Sequence, residues 1–353
     1  MSSDERPEVQ ETTLSTAEGK TEEMRRRITI YDVAKEAGVA PSTVSRAFSR
    51  PGRVNAETSK RIYEVAEELG YRSQAPPRLD TGKPSKILAF VVSDINNPFL
   101  THIMRGFQRE AATQGYTTLL IDSQESDTAE RQSIERILQL VDGVVLTSSR
   151  MSDSTINQIV KVRPVVAVNR DVRGVPSILP DTDRGIRQAV ELVASHHHRK
   201  LLYLAGPESS WADGVRWRAL TESCEEVDIT LRRIGPYPPS LMGGMAAAKV
   251  WIRQQYSAVM AYNDLLAIGF MKAVQNAGFN VPGDVSVVGM DNTITTALTT
   301  PTLTTVATPP NMLGVRAART LIYQLQNRSK QAPKTVVVPM NVFLRESVGP
   351  VPS

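Results

Sequence analysis

Ser42 and Arg46 stand four residues apart in the run PSTVSRAFS, so a helix places both on one side. Thr43, Ser45 and Ser49 lie on or near the same outer face once Val44, Ala47 and Phe48 turn inward. Short hydroxyls donate to phosphate oxygens, and an arginine fork can grip O6 and N7 of guanine with two bonds. That face is therefore matched to the major groove of duplex DNA. A solvated polar face on a small helical cap has the same composition. A second set of polar residues closes apolar runs farther along: Asp94, Asp122, Asn169, Asn263 and Asp291. Carboxylates and amides gathered at strand ends suit a small molecule rich in hydroxyls. Asp264, next to Asn263, reads as a helix cap.

The elements that must carry these residues follow from periodicity and punctuation. Residues 28–70 read as three short helices. Thr29 caps the first, with Asp32 as the capping-box acid, and Gly38 ends it in a left-handed conformation. Pro41 opens the second helix, where its missing N–H costs nothing. Asn55 caps a third helix that contains Ile62, Val65, Ala66 and Leu69, and Gly70 stops it. From Lys86 the pattern changes. Apolar runs at 87–94, 117–122, 142–148, 164–169, 200–206, 258–264 and 284–291 alternate with amphipathic stretches, which implies parallel strands covered on both faces. Asn97 caps the helix after the first run, Pro98 fits its first turn and Gly115 ends it. The stretch TVVVPMNVFLRESV supplies one or two closing strands. Two such sheets in series give two α/β lobes.

At 353 residues the chain has room for two or three domains, and its 41% apolar content is that of a globular protein. The net charge of +4 is mild, but it is unevenly placed: residues 1–24 hold seven acids and two bases, residues 25–72 ten bases and six acids. The basic excess on a small amino-terminal segment suits contact with phosphates. The domain reading is a disordered acidic tail at 1–27, a DNA-binding domain at 28–72, a Pro-rich linker at 73–85 and a two-lobed body at 86–350. A single cysteine, Cys224, leaves no intrachain disulfide or cysteine-rich metal site and fits a reducing compartment. No apolar run is long enough for a membrane span, and the amino terminus lacks a secretory signal, so a cytoplasmic location is expected.

The order of residues adds to this reading. ITIYDVAKEAGV followed by STVSR, then RVNAETSKRIYEVAEELGYR and the two-lobed region behind it, resembles the LacI/GalR family of bacterial transcription regulators over about residues 28–349. The resemblance implies an all-α helix-turn-helix domain joined to a periplasmic-binding-protein-like core of parallel sheets. It places Pro41, Ser42 and Arg46 at base-reading positions. Thr29, Thr43, Ser45, Ser49, Arg53, Asn55 and Thr58 fall at phosphate-side positions, and Tyr31 and Tyr71 match family aromatics. Ala40 stands where the family usually has serine, and Pro41 has no side-chain donor, so base reading leans on Ser42 and Arg46. In the linker SQAPPRLD, Leu79 matches the family's minor-groove wedge one residue early, while Pro76 and Pro77 would interrupt a hinge helix; an extended linker is the alternative.

For the body, the resemblance implies an effector site using Arg216, Asn263 and Asp291, with Asn169 where many members carry an aspartate. Asn97 and Phe99 sit in the first-lobe loop that lines the pocket, and Trp211 is near enough to stack on a ring. The implied ligand is a sugar or nucleoside, the implied partners a palindromic operator and a second copy of the chain. His198 takes a structural place by the same comparison.

Nucleotide-dependent chemistry lacks its phosphate cradle, since neither GxxxxGK[ST] nor a strand-linked GxGxxG is present. No Ser/His/Asp order or HExxH stands out, and His196, His197 and His198 are consecutive, so they do not project together onto a metal. The expectation is a ligand-responsive regulator with no cofactor and no enzymatic activity. A sugar-binding protein without a DNA role is the competing reading, and it leaves residues 28–70 unexplained.

Overall fold

A computed structural model describes residues 28–49, 53–69, 71, 84–327 and 335–352. The acidic tail at 1–27, Gly70, most of the 73–85 linker with Leu79, and the Ser49 side chain lie outside the described residues. The chain forms two compact units, Met1–Thr81 and Gly82–Ser353.

Among its described residues the first unit holds three helices: α1 (Ile30–Glu36), α2 (Pro41–Ser49) and α3 (Ala56–Glu68). Before α1, the Asp32 carboxylate accepts from the Thr29 N–H at 2.7 Å and from its hydroxyl at 2.6 Å. Gly38 ends α1 with φ +63°, and Pro41 is the first residue of α2. Asn55 Oδ1 accepts from the Glu57 N–H at 2.9 Å, capping α3. Helices this short are marginal alone; what holds them is a shared core of Val33, Ala34, Ala37, Val44, Ala47, Ile62 and Ala66. Phe48 packs edge-on against Tyr63 and Tyr71, and the Tyr63 hydroxyl donates to the Ala47 carbonyl at 2.7 Å.

The second unit contains two six-stranded sheets among its described residues. The first lobe begins with β1 (Ile87–Val92), α4 (Pro98–Thr113), β2 (Thr117–Asp122), α5 (Asp127–Ile137), β3 (Gly143–Thr147), α6 (Asp153–Val160), β4 (Val165–Val168) and β5 (Ser177–Pro180). The second is built from α7 (Thr182–Ser195), β6 (Lys200–Leu204), α8 (Trp211–Glu226), β7 (Thr230–Ile234), α9 (Leu241–Trp251), β8 (Ala258–Ala261), α10 (Asp264–Asn276), β9 (Ser286–Met290) and β10 (Thr304–Ala307). The chain then returns: α11 (Pro310–Gln326) packs on α4, and β11 (Val336–Val338) pairs with β5. Finally β12 (Asn341–Phe343) pairs antiparallel with β10.

The lobes are therefore interleaved, not in series as the sequence reading has them. TVVVPMNVF does supply two short strands, but one goes to each sheet. β5, β7 and β10 were also not among the strands read from the sequence. They are short, and β7 lies at a sheet edge, where its residues are mostly exposed.

Strand order runs β11-β5-β4-β3-β1-β2 in the first sheet and β12-β10-β9-β8-β6-β7 in the second. Each order reverses beside its first strand, between β1 and β3 and between β6 and β8. Parallel sheets open a crevice at such a switch, beyond the carboxyl ends of the strands. The sheets are buried on both faces; β3, β4, β8 and β9 have no exposed residue. His198, just ahead of β6, is buried. Its Nδ1 lies 2.9 Å from Ser257 Oγ, and its Nε2 lies 3.0 Å from both Ser286 Oγ and the Gly349 carbonyl, which ties down the carboxyl-terminal segment. Burial pushes its pKa down, favouring the neutral ring. Among the described residues no helix is long and apolar enough to cross a membrane.

Candidate functional site

In the amino-terminal unit, α2 presents Pro41, Ser42, Ser45 and Arg46 to solvent and buries Val44 and Ala47 on the opposite side. Arg46 Nη2 donates to Ser42 Oγ at 3.4 Å, so the two side chains meet one turn apart. No acidic residue interrupts the first turn of α2. Thr29, Tyr31, Arg53 and Asn55 are exposed, whereas Thr43 and Thr58 are half-buried. Tyr71 is half-buried against Phe48, 5.8 Å between ring centroids, and so serves the core of this unit. Thr29 and Asn55 are engaged at helix starts, as described above.

The body holds a cavity between its lobes, lined from both sides. Asp94 and Asn97 reach it from the β1–α4 connection, Phe99 from the first turn of α4, Ser148 and Arg150 from beyond β3, and Asn169 from beyond β4. Across the cleft, Arg216 comes from α8, and Tyr262 and Asp291 follow β8 and β9. Glu125, Ser148, Asn169 and Asp291 all have positive φ, at 61°, 54°, 57° and 117°. Non-glycine residues rarely adopt this conformation, and where they do it tends to be at functional sites. All four residues line the cleft.

Five of the seven expected effector residues line this cavity: Asn97, Phe99, Asn169, Arg216 and Asp291. Two do not. Asn263 is buried and engaged elsewhere: its Oδ1 accepts from the Leu266 N–H at 2.9 Å and its Nδ2 donates to the Pro239 carbonyl at 3.2 Å. It is the cap of α10, the role the sequence reading gave to Asp264. Trp211 is the first residue of α8 and lies outside the lining. Asp122 also stays out; its carboxylate accepts from the Ile95 and Gln124 N–H groups and braces the adjoining loops.

Sequence reasoning missed Glu125, Ser148, Arg150 and Tyr262. Ser148 was open to detection as the residue after a strand. Tyr262 was open in the same way, directly after β8, whereas Arg150, three residues beyond β3, carries no local signal.

Arg216 is buried. Its Nη1 donates to the Tyr262 carbonyl at 2.6 Å, its guanidinium lies 4.6 Å from the Tyr262 ring centroid, and its Nη2 is 3.6 Å from Asp291 Oδ1. That last separation is long for a charge-assisted hydrogen bond. Burial, opposed by Arg216 but reinforced by the nearby Asp264, accordingly pushes the Asp291 carboxyl well above the usual carboxylate range. Burial also pushes Asp264 up to about 6. Asp264 lies behind the cavity and accepts from Thr293 N at 2.7 Å, Thr293 Oγ1 at 3.0 Å and Thr305 Oγ1 at 2.6 Å. The cavity thus offers two guanidinium groups, carboxyls, amides and hydroxyls beside the Phe99 and Tyr262 rings. It can donate to and accept from a polar ligand at many points, and it has no nucleophile paired with a base. Among the described residues no cluster of His, Cys, Asp and Glu could hold a metal ion.

Comparisons with known proteins bear on both units. Residues 29–74 match the family model described as bacterial regulatory proteins, lacI family, and residues 190–348 match a periplasmic binding protein-like domain. The HTH-type transcriptional regulator DegA of Bacillus subtilis is 28% identical over 342 residues, covering 92% of this chain and 99% of that protein. Among solved structures, a transcriptional regulator CelR–cellobiose complex superposes with a TM-score of 0.67 at 26% identity, covering 91% of this chain and all of that one. A LacI family transcriptional regulator from Enterococcus faecium with bound ribose gives 0.67 at 26% identity, over 75% of this chain and 99% of that one. These relatives are regulators, not enzymes. A lacI-type helix-turn-helix head followed by a periplasmic-binding-protein-like body makes this chain a DNA-binding transcriptional regulator of the LacI/GalR family.

Proposed function

We propose that the chain is a cytoplasmic repressor that binds a palindromic operator as a homodimer and is controlled by a small hydroxylated ligand, of the sugar or nucleoside class, held between its lobes. The observation that carries the DNA half is the Ser42–Arg46 pair on an exposed helix face free of acids in its first turn. Arg46 reads a base edge, Ser42 shares that task, and Thr29, Tyr31, Thr43, Ser45, Ser49, Arg53, Asn55 and Thr58 act on the phosphate side. One such head reads half a site, so a two-fold site calls for two copies. Exposed apolar side chains on the second lobe, Met242, Ile294 and Leu298 at 70–76% exposure, favour a partner surface there.

The ligand half rests on the cavity. Its lining comes from both lobes and is predominantly polar, as recognition of a hydroxylated molecule requires. Asn97, Asn169, Arg216 and Asp291 supply donors and acceptors, and Phe99 supplies a ring face. Cellobiose and ribose in the two related structures favour a sugar. Ligand occupancy biases the closed arrangement of the lobes and, through it, operator affinity; such couplings amount to about 1–3 kcal/mol.

A gel shift with fragments of the source genome tests the first half, and binding without sequence preference would overturn it. A thermal-shift screen of sugars and nucleosides tests the second. A ligand at 100 times its dissociation constant stabilises by about 2.7 kcal/mol. Stabilisation by neither class would overturn the ligand assignment.

A further inference from the structure

Arg46 stands in the last turn of α2, where a helix is least held by its own bonds. The final carbonyls of α2, those of Arg46, Ala47, Phe48 and Ser49, have no donor within the helix. For Ala47 the sequence also forbids the bond that a longer helix would supply. Four residues on stands Pro51, which has no N–H, and a proline disfavours helical backbone at the residue before it, Arg50. A helix of nine residues is marginal alone. The turn that carries Arg46 therefore needs a hold from outside α2.

Tyr63 of α3 supplies that hold. Its hydroxyl donates to the Ala47 carbonyl at 2.7 Å, an ordinary length for an O–H···O bond. Its ring meets Phe48 edge-on, with centroids 5.1 Å apart and planes at 90°. One side chain thus fixes both residues that follow Arg46, the peptide of Ala47 by its hydroxyl and the ring of Phe48 by its own. Tyr63 is 41% exposed, so water could serve its hydroxyl; it is the Ala47 carbonyl that lacks a helical donor.

We propose that Tyr63 is a positioning residue for base reading: it holds the last turn of α2 so that the Arg46 guanidinium meets a base edge already in place. The proposal rests on Arg46 reading a base. A two-bonded contact to a base edge tolerates little misplacement, whereas phosphate contacts carry no sequence information and ask for less precision. Without the hydroxyl the turn opens more often in the free protein. Binding to the preferred sequence must then reorder it, and that ordering is subtracted from the affinity.

The test is fluorescence anisotropy with the full-length chain on two duplexes: one that the parent selects from a random-sequence pool, and a scrambled duplex of the same composition. Tyr63→Phe removes the hydroxyl and keeps the ring on Phe48, so the core of the head is unchanged. It should weaken binding to the selected duplex by about 2- to 10-fold and leave binding to the scrambled duplex as it was. In an Arg46→Ala background the same substitution should cost less than about twofold on either duplex, because a residue that acts through Arg46 then has nothing to position.

Three results overturn the positioning role: no loss on the selected duplex, an equal loss on both duplexes, or the same loss with Arg46→Ala as without it. The first leaves the hydroxyl idle, the second makes it a phosphate contact or a general prop, and the third makes it an independent contact. If the parent selects no sequence, or if Arg46→Ala alone loses nothing on the selected duplex, the base-reading assignment falls and takes this proposal with it. A loss for Arg46→Ala with none for Tyr63→Phe removes the positioning role alone.

Discussion

Replacing Arg46 with alanine separates base reading from phosphate contact. Four residues along α2 span about 6 Å at 1.5 Å each, close to two base steps of roughly 3.4 Å. Ser42 and Arg46, already 3.4 Å apart in the free protein, can therefore address neighbouring base pairs together. The Arg46–Ser42 bond is exposed and exchanges readily with water, so little is lost when the arginine turns to a base. A bidentate arginine–guanine contact contributes about 1–3 kcal/mol of discrimination. Arg46→Ala should thus weaken operator binding by about 5- to 150-fold while leaving the unfolding free energy within about 0.5 kcal/mol of the parent. The assay is fluorescence anisotropy on an operator fragment and a scrambled duplex, each over a salt series. A base contact predicts a loss concentrated on the operator. A phosphate contact predicts an equal loss on both duplexes and a salt slope smaller by about one. Equal losses on the two duplexes, or no loss on the operator, would refute the base-reading assignment.

Three further outcomes follow from the body. His198→Leu leaves Ser257, Ser286 and the Gly349 carbonyl short of a buried partner and should destabilise the fold by about 1–3 kcal/mol in urea titrations; a change below that range would mean water replaces the ring without cost. Asp264 keeps its proton to about pH 6 when folded but loses it near pH 3.8 when unfolded. Between those values the folded state binds more protons, so this group's contribution to stability falls as pH rises, and it levels off above pH 6. Asp264→Asn should remove that slope, and a difference from the parent that is the same at pH 4 and pH 6 would exclude it. Leu298→Glu, at a site 76% exposed, should leave the folded chain intact and convert the proposed homodimer to a monomer in light scattering; an unchanged dimer would move the interface elsewhere.

Much of the fold is legible locally. Thr29 with Asp32, Gly38, Pro41, Asn55, Asn97 and Gly115 all punctuate helices where their side-chain chemistry requires. Apolar runs such as ILAFVV and GVVLT become β1 and β3 because a strand buried on both faces needs no alternation. The candidate cleft is only partly legible. Asn169 and Asp291 follow strands and line the cavity, but Asn263 follows one too and is spent on a helix end. A polar residue after an apolar run can turn into the cleft or back onto the next helix, and local pattern does not distinguish the two.

The sequence by itself determined the types of element, their approximate limits and the polar face of α2, because propensity, capping and periodicity act within a few residues. The tertiary structure alone decided that β11 and β12 part to different sheets, that Arg150 and Tyr262 line one cleft from opposite lobes, and that burial pushes the Asp291 carboxyl well above the usual carboxylate range. Those outcomes depend on long-range packing and on the removal of water from buried charges, and neither is a property of any short stretch of chain.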